Sequence, residues 1–328
     1  MPINHNFKTM DCQRVLDYTI GDMIKKISKT SGLLLVALLG LLGIVFVFSE
    51  PTHAPSLDLD KQMDSSEVKN PTENTFITLS ESTKIGEGVI ADSFLIYDEN
   101  SGAVIATKNP DTAVAIASIT KLMTAYVIQK YGSLEDTWAI NNASTNNINP
   151  VLGLVPGDIV KIEDLTKAML IGSANDAAQA LGLYLTTAQN KSAIELMNDE
   201  AELLGMDSTH YENSIGFDSE QNYSTANDLK ILVSKTRSLP LFSGIDRKTS
   251  YSFVSQTGRS YSVKATNTML STDSEIHAVK TGFTDEAKGA MIIAVKHEDK
   301  NFVVIVLGST KRELDTKILK QQVIEAII

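Results

Sequence analysis

The sequence predicts an α/β domain in which both ends of the folded region contribute to one sheet and a helical subdomain is inserted between them. Two hairpin patterns carry this prediction, at residues 93–107 and 290–307. The stretch between them, roughly Leu122 to Ser238, has mostly helical spacing, and a last helical period runs from Arg312 to Ile328. Helices are therefore expected in the segment that connects the two hairpins and again after the last strand of the sheet.

A membrane anchor is predicted at residues 32–49, before this domain. The run Gly32–Phe48 has 17 residues and no charge, at the short end of what spans a bilayer. Three lysines precede it closely: Lys25, Lys26 and Lys29. The positive-inside rule then leaves residues 1–31 in the cytoplasm and exports the rest, as a single-pass protein of the cell membrane.

A cleaved signal peptide is the alternative for the same run, although residues 1–31 make a long leader and Val47-Phe48-Ser49 is a poor cleavage site. Residues 50–74 are rich in Pro, Asp, Ser and Glu, with too little apolar surface to fold, and predict a flexible spacer. The catalytic domain is expected at 75–328.

The first hairpin joins Ser93–Tyr97 to Ala103–Thr107 through a turn that contains Gly102. The second joins Ala290–Val295 to Phe302–Leu307. In the closing segment the helical period is set by apolar residues, namely Leu314, Ile318, Leu319, Val323 and Ile327.

The first candidate motif is Ser118-Ile119-Thr120-Lys121, at the start of a helix predicted from Ile119 to Tyr131. Residues three apart share a helix face, so Lys121 is expected beside the Ser118 hydroxyl. A serine hydroxyl needs an adjacent base to act as a nucleophile, and Lys121 can serve if burial or nearby positive charge lowers its pKa. A lone Ser-x-x-Lys more often holds only a helix-capping serine.

The second motif is Ser173-Ala174-Asn175, between two helical segments. A loop there can present Ser173 as a proton relay and Asn175 as a partner of a substrate amide, whereas in isolation the pair would be capping and turn residues.

The third motif is Lys280-Thr281-Gly282, predicted on a strand. Lys280 and Thr281 can grip a carboxylate, and Gly282 would let substrate backbone approach. Alone it would be an exposed strand end. Together the three motifs supply what attack on a peptide with a free terminal carboxylate needs.

Composition excludes several classes of function. The net charge is −11, without the basic patch that nucleic acid requires. The chain has one cysteine, Cys12, and five scattered histidines, so neither a disulfide framework nor a metal site is expected, and no cofactor is implied.

Three stretches, AIASITKLMTAYVI, MLIGSANDAAQAL and AVKTGFTDEAKGAMIIAV, resemble the signature blocks of the penicillin-binding D-alanyl-D-alanine carboxypeptidases, relatives of class A β-lactamases. Further similarity lies at 209–218, at 224–228 and at Thr266-Asn267. The resemblance covers about Phe94 to Ser309. It implies the β-lactamase/D,D-peptidase fold, an antiparallel sheet flanked by helices, with the active site between sheet and helical subdomain.

The resemblance also implies a role for each residue of the motifs. Ser118 would be the acylated nucleophile, Lys121 its base and Ser173 the proton relay. Asn175 would bind the substrate amide. Lys280 and Thr281 would contact the terminal carboxylate, and the N–H groups of Ser118 and Phe283 would form the oxyanion hole.

Two departures from the family pattern stand out. Family members often carry a basic residue where this chain has Thr268, and many have a β-rich C-terminal domain and a terminal membrane helix. In this chain the N-terminal anchor would replace that tether.

The expected function is a serine D,D-carboxypeptidase that removes terminal D-alanine from peptidoglycan stem peptides ending in D-Ala-D-Ala and is acylated by β-lactams. A β-lactamase is disfavoured because the middle motif is not Ser-Asp-Asn and no Glu-x-x-Leu-Asn element is present. A transpeptidase or endopeptidase and a non-catalytic β-lactam sensor remain open.

Overall fold

The computed structural model describes residues 84–146 and 152–327. The predicted cytoplasmic segment 1–31, anchor 32–49 and spacer 50–74 lie outside this part of the chain, as do residues 75–83 of the predicted catalytic domain. Across the described residues, no helix is both long enough and apolar enough to cross a membrane.

One five-stranded antiparallel sheet organises the domain, with the strand order β2-β1-β11-β10-β9. Its strands are β1 (Ser93–Asp98), β2 (Val104–Lys108), β9 (Ile276–Thr284), β10 (Lys288–His297) and β11 (Lys300–Ser309). Both predicted hairpins are confirmed. Because β1 pairs with β11, the first and last strands of the fold are neighbours.

Three two-stranded ladders complete the strands: β3 (Val114–Ala115) with β6 (Tyr223–Ser224), β4 (Thr137–Ala139) with β5 (Ile159–Lys161), and β7 (Ser250–Val254) with β8 (Ser260–Lys264). They lie between β2 and β9 in the sequence, so the region predicted as mostly helical also contains short strands.

The helices are α1 (Lys121–Tyr131), α2 (Ile162–Gly172), α3 (Asn175–Gln189), α4 (Ala193–Leu204), α5 (Ala226–Arg237), α6 (Pro240–Ser243) and α7 (Arg312–Ala326). Helix α1 packs against α3, α4 and α5, and α7 packs on the opposite face of the sheet against β10 and β11. This agrees with the predicted inserted helical subdomain.

The sheet is buried on both faces, which explains why its central strands are apolar at nearly every position. On β11, Val303, Ile305 and Leu307 join the core shared with the inserted helices. The alternate residues Val304 and Val306 join a second core beneath α7. Side chains alternate along a strand, so one strand fills both cores.

The buried face of α7 agrees with the prediction at Leu319 and Val323 and differs from it at Leu314. Leu314 is 50% exposed, and the buried residues are Asp315, Thr316, Leu319, Lys320, Val323 and Ala326. Two of these are charged and have partners: Asp315 accepts from Ser309 at 2.6 Å, and Lys320 pairs with Asp273 at 2.6 Å. Ion pairing allows a charged stripe to be buried, which apolar periodicity alone cannot predict.

Candidate active site

Ser118 lies in a tight 3₁₀ turn, Ala117–Thr120, that leads directly into α1. The α-helix therefore begins at Lys121 and not at Ile119, because its first turn is wound more tightly. Ser118 does not cap this helix, since the residue at the N-cap is Thr120. The alternative that Ser118 is only a capping residue is thus wrong.

The backbone at this turn is strained and tightly enclosed. Ala117 has a φ of 47°, in the left-handed region that non-glycine residues rarely adopt. A Cβ at Gly216 would lie 1.9 Å from the Ala117 carbonyl oxygen, and one at Gly282 would lie 3.0 Å from the Ser118 nitrogen. Two glycines therefore fix the nucleophile's backbone from neighbouring segments. Gly282 makes room for this turn, a reason different from the predicted approach of substrate.

Lys121 is fully buried, with its ammonium group among three uncharged acceptors. Its Nζ lies 2.7 Å from Ser118 Oγ, 2.8 Å from Asn175 Oδ1 and 2.5 Å from the carbonyl oxygen of Ile215. Burial, and secondly the charge of Lys280, hold the pKa of Lys121 well below its ordinary value. The predicted contact with Ser118 is confirmed.

Ser173 is the left-handed residue, with φ 56°, that ends α2 before α3 begins. It is buried, and its Oγ accepts a hydrogen bond of 2.9 Å from Lys280 Nζ. Asn175 is the first residue of α3 and accepts from Lys121. The helix–loop–helix context predicted for this motif is confirmed, and it brings each residue to a different lysine.

Lys280 lies on β9 and is 2% exposed, so the alternative of an exposed strand end is wrong. Besides Ser173, its Nζ donates to the carbonyl oxygen of Thr281 at 2.8 Å. Burial, followed by the charge of Arg312, lowers the pKa of Lys280 to about 7. The side chain can therefore carry either a charge or a free amine near neutral pH.

The Thr281 hydroxyl lies 2.6 Å from that of Thr266. Thr268 begins a separate 3₁₀ turn, Thr268–Ser271, and supplies no charge. Phe283, the next residue after Gly282, is 65% exposed at the site. The oxyanion-hole role of the Ser118 and Phe283 N–H groups stays a prediction.

Three residues that build this site, Asn213, Ile215 and Arg312, have no role in the sequence analysis. Asn213 Oδ1 accepts from the N–H groups of Ile215, Gly216 and Phe217 and so shapes the loop whose carbonyl meets Lys121. Arg312 donates to the Gly282 carbonyl at 2.6 Å. Asn213 lies in the region of similarity at 209–218, but nothing in the sequence linked Arg312 to the third motif.

The site thus contains two pairs of a hydroxyl and a buried lysine: Ser118 with Lys121, and Ser173 with Lys280. A neutral Lys121 can accept the Ser118 proton while it still donates to Asn175 and Ile215, because an amine has two hydrogens and a lone pair. Such an arrangement can activate a serine without a histidine or a carboxylate.

Comparison with known proteins agrees with this geometry. A family model described as D-alanyl-D-alanine carboxypeptidase, peptidase family S11, matches residues 79–311. The carboxypeptidase DacC of Escherichia coli K12 is 29% identical over 245 residues, which is 70% of this chain and 59% of the relative. The chain thus spans less than two thirds of that relative. A D-alanyl-D-alanine endopeptidase of Pseudomonas aeruginosa is 33% identical over 220 residues, 65% of this chain and 70% of the relative.

Solved structures have the same fold. The DD-transpeptidase of Streptomyces K15 has a TM-score of 0.67 at 29% identity and covers 72% of this chain and 98% of its own. Penicillin-binding protein D2 of Listeria monocytogenes, in an ampicillin-bound form, has a TM-score of 0.62 at 28% identity and covers 73% and 99%. The predicted fold class is confirmed.

Proposed function

Because the chain belongs to the D-alanyl-D-alanine carboxypeptidase family, peptidase family S11, we propose that it is a serine D,D-carboxypeptidase acting on peptides that end in D-Ala-D-Ala. The observation that carries the proposal is the contact of 2.7 Å between Ser118 Oγ and the buried Lys121 Nζ. A lowered pKa at Lys121 provides the free amine that a general base requires.

In the first step, Lys121 accepts the Ser118 proton as the Oγ attacks the carbonyl carbon of the penultimate D-alanine. The oxygen that becomes negative is stabilised by the N–H groups of Ser118 and Phe283. Ser173 then donates its proton to the leaving nitrogen and takes one from Lys280, with which it is hydrogen-bonded. The proton on Lys121 is released to solvent and Lys280 takes one up, so that both lysines return to their starting states. Terminal D-alanine departs and an ester on Ser118 remains.

In the second step, water attacks that ester, and Lys121, again a free amine, accepts a proton from the water and passes it to Ser118 Oγ as that oxygen leaves. The acyl chain leaves as a free acid and the Ser118 hydroxyl is restored. No metal or cofactor enters this scheme.

We assign the substrate's terminal carboxylate to Lys280 and Thr281. Lys280 in its charged form and the Thr281 hydroxyl are adjacent on β9 and offer a charge-assisted contact. Asn175, whose Oδ1 accepts from Lys121, is assigned to the substrate amide.

A transpeptidase or endopeptidase is the second candidate, because relatives named for those activities match this chain about as well as the carboxypeptidases do. All three would share the acyl-enzyme and differ in the acceptor or in the peptide cut. The middle motif Ser173-Ala174-Asn175 continues to disfavour a β-lactamase.

β-Lactams are proposed as inhibitors that acylate Ser118. Their strained amide would present its carbonyl to Ser118 and its carboxylate to Lys280, as the peptide does. Peptidoglycan stem peptides are the proposed natural substrates.

Residues 32–49 are proposed to anchor the protein in the cell membrane, with the catalytic domain outside the cytoplasm. The support is the uncharged run Gly32–Phe48 behind three lysines. Carbonate-resistant sedimentation of the full chain with membranes, beside a chain shortened to 75–328, tests the anchor, and the mass of the extracted protein distinguishes it from a cleaved signal. Release of the full chain by carbonate would contradict it.

The experiment that tests the activity measures D-alanine release from diacetyl-Lys-D-Ala-D-Ala. Ser118→Ala is expected to lower the rate by about 10⁴-fold or more. Ser66→Ala is the matched control, because Ser66-Glu67-Val68-Lys69 repeats the Ser-x-x-Lys spacing, and it should leave the rate unchanged. Equal rates for parent and Ser118→Ala would refute the nucleophile, and no release by a folded parent would refute the carboxypeptidase.

A further inference from the structure

A small cavity lies beside β9, directly next to the third motif. Its volume is about 20 Å³, and one buried water needs at least about 10–15 Å³. Five polar residues line this cavity, namely Lys248, Thr266, Asn267, Lys280 and Thr281, and the rest of its lining is apolar. The cavity therefore has room for one water molecule and offers polar groups that can hold it.

The cavity lies where β9 departs from regular pairing. Lys280 pairs with Ile292, and Ala278 pairs with Ile293. Two adjacent residues of β10 thus face three residues of β9, and Val279 is the extra one. Ala278 and Val279 both line the cavity. A bulge of this kind re-aims the neighbouring side chain, and here that side chain belongs to Lys280.

Asn267 brings a hydrogen-bond donor to the cavity. The residue is 5% exposed, and its Oδ1 accepts from the Met269 N–H at 3.0 Å at the start of the turn Thr268–Ser271. Its Nδ2 is buried and has no hydrogen-bond partner among the residues that the structure describes. Buried amide groups nearly always have a partner, and the cavity is where a water can supply one. Asn267 belongs to the Thr266-Asn267 similarity, to which the proposed mechanism gives no role.

Lys280 is a second donor that lines the cavity. A charged amine has three hydrogens, and this one donates to Ser173 Oγ at 2.9 Å and to the Thr281 carbonyl oxygen at 2.8 Å. The third hydrogen is available to a water in the cavity. One water can accept from Lys280 and from Asn267 at the same time, because its oxygen has two lone pairs.

Lys280 needs a route by which it exchanges protons. In the proposed mechanism it gives a proton to Ser173 and takes one up again in each turnover, yet its side chain is 2% exposed. The substrate carboxylate would cover this lysine from the active site. Lys248, by contrast, is exposed, so the cavity that both lysines line connects Lys280 with solvent.

Positive charge around Lys280 opposes the return of that proton. Arg312 on α7 is, after burial, the second cause of its lowered pKa, and Lys121 on α1 is coupled to it by charge. Lys248, in the loop before β7, lines the same cavity. A water that accepts from the ammonium group favours the charged form and so offsets part of this repulsion.

We propose that one ordered water in this cavity, held by Asn267 Nδ2, returns to Lys280 the proton that Lys280 gives to Ser173. The water donates a proton to the neutral amine and takes one from solvent beside Lys248, so the water itself is unchanged. Asn267 is then a positioning residue, because it acts on Lys280 through this water. The inference rests on the proposed function.

Filling the cavity tests the proton route. Ala278→Val adds two methyl groups to a residue that lines it, which leaves no room for a water. At about pH 6, below the pKa of Lys280, the enzyme starts with this lysine charged. Release of D-alanine from diacetyl-Lys-D-Ala-D-Ala in a single turnover, with enzyme in excess, should then change by less than about twofold. Steady-state release needs a new proton in every turnover and should be slower by about tenfold.

Ala106→Val is the matched control, because Ala106 is a half-buried alanine of β2 that does not line the cavity. It should change neither rate. Equal slowing of single-turnover and steady-state release by Ala278→Val would indicate a general structural defect and overturn the route. An unchanged steady-state rate would overturn it as well.

Asn267→Asp tests whether this side chain shares the cavity with Lys280. The carboxylate keeps the oxygen that accepts from Met269 but replaces the unpartnered amide group with a negative charge. The pKa of Lys280 should rise, and the falling limb of kcat/KM should move to higher pH by about 1 pH unit. A limb that stays in place would contradict a water shared by Asn267 and Lys280.

A crystal structure of the parent separates this inference from the proposed function. An ordered water within about 3.2 Å of both Asn267 Nδ2 and Lys280 Nζ is expected whether or not the enzyme releases D-alanine. An empty cavity in crystals that show ordered water elsewhere would refute the proposal. Failure of the proposed function would look different, since the parent would release no D-alanine although the water is in place. The pH limb of Asn267→Asp would then be measured in acylation by benzylpenicillin, with the same expected shift.

Discussion

Lys121 and Lys280 differ in what their surroundings do to an ammonium group. Lys121 is fully buried and faces the hydroxyl of Ser118 and two further uncharged acceptors. Lys280 is also buried, but its pKa of about 7 leaves it partly charged at neutral pH. Near neutral pH, Lys121 is thus suited to accept a proton, and the charged form of Lys280 is suited to bind a carboxylate.

The pH dependence of kcat/KM tests this division. Binding of a carboxylate needs charged Lys280, so kcat/KM, which reports the free enzyme, should fall as pH rises through about 7. The value of kcat reports the enzyme with substrate bound, and it should fall only at higher pH. Arg312→Gln removes the second cause of the low pKa, so the pKa of Lys280 rises and the falling limb should move to higher pH. A limb that stays in place or moves to lower pH would contradict the role of Arg312.

The same pKa has a consequence for stability. Because the pKa of Lys280 is about 7 when folded and 10.5 ordinarily, the unfolded chain binds more protons between these values. The contribution of this residue to folding stability therefore increases as pH rises from about 7 to 10.5.

Gly216 is predicted to be the more demanding of two left-handed glycines. A Cβ there would lie 1.9 Å from the Ala117 carbonyl oxygen, whereas at Gly258, with φ 87°, nothing lies within 4 Å. Gly258→Ala should cost roughly 1–2 kcal/mol from backbone strain. Gly216→Ala should cost roughly 2–5 kcal/mol, because displacement of the nucleophile turn adds to that strain.

Urea unfolding of both variants measures the difference, and the rate of acylation by benzylpenicillin reports the nucleophile turn. If Gly216→Ala were no less stable than Gly258→Ala and were acylated as fast as the parent, the close packing at Ala117 would contribute neither to stability nor to the position of the nucleophile.

At the level of elements, α3 carries an anchor for the segment that precedes β5. Asp176, its second residue, accepts the backbone N–H groups of Leu152, Gly153 and Leu154 at 2.8, 2.9 and 3.1 Å. The carboxylate is 1% exposed, so water cannot readily replace it. A short chain segment is thereby fixed next to Asn175.

Asp176→Ala is expected to destabilise the protein by about 2–5 kcal/mol, since buried donors lose a charged acceptor. Asp199→Ala serves as the control, because Asp199 pairs with Lys191 on the surface, where such a pair contributes about 0–1 kcal/mol. Thermal unfolding followed by circular dichroism compares the two, and equal shifts in Tm would rule out the anchor.

Among the elements themselves, hairpins and helices with clear period and turn residues could be predicted from sequence. The β1–β2 and β10–β11 hairpins agree because short apolar runs on both sides of a polar turn are local signals, and the first turn also contains Gly102. The start of α1 and the burial of Lys320 on α7 could not be predicted, because packing around Ser118 and the pairing of Lys320 involve residues distant in sequence.

For the whole molecule, the pairing of β1 with β11 joins parts of the chain more than two hundred residues apart. Register runs from Ser93 opposite Leu307 to Asp98 opposite Phe302. Without β1, the apolar strand β11 would become an edge strand, and both hydrophobic cores would lose the side chains that β1 contributes to them.

A chain that lacks residues 1–98 is therefore expected to lose cooperative thermal unfolding, whereas one that lacks residues 1–74 should keep it. Near-ultraviolet circular dichroism on heating distinguishes the two. A cooperative transition in the shorter chain would show that β1 is dispensable for the fold.

The sequence alone determined the family, the fold class and the three motifs, because the order and spacing of Ser118, Ser173 and Lys280 are properties of the chain itself. Only the tertiary structure decided which group each residue meets. Ile215 contacts Lys121 across 94 residues of sequence, and Arg312 contacts Gly282 across 30. Asn213 shapes the loop that carries Ile215. Burial, which sets the pKa of both lysines, arises only when sheet and helices enclose them.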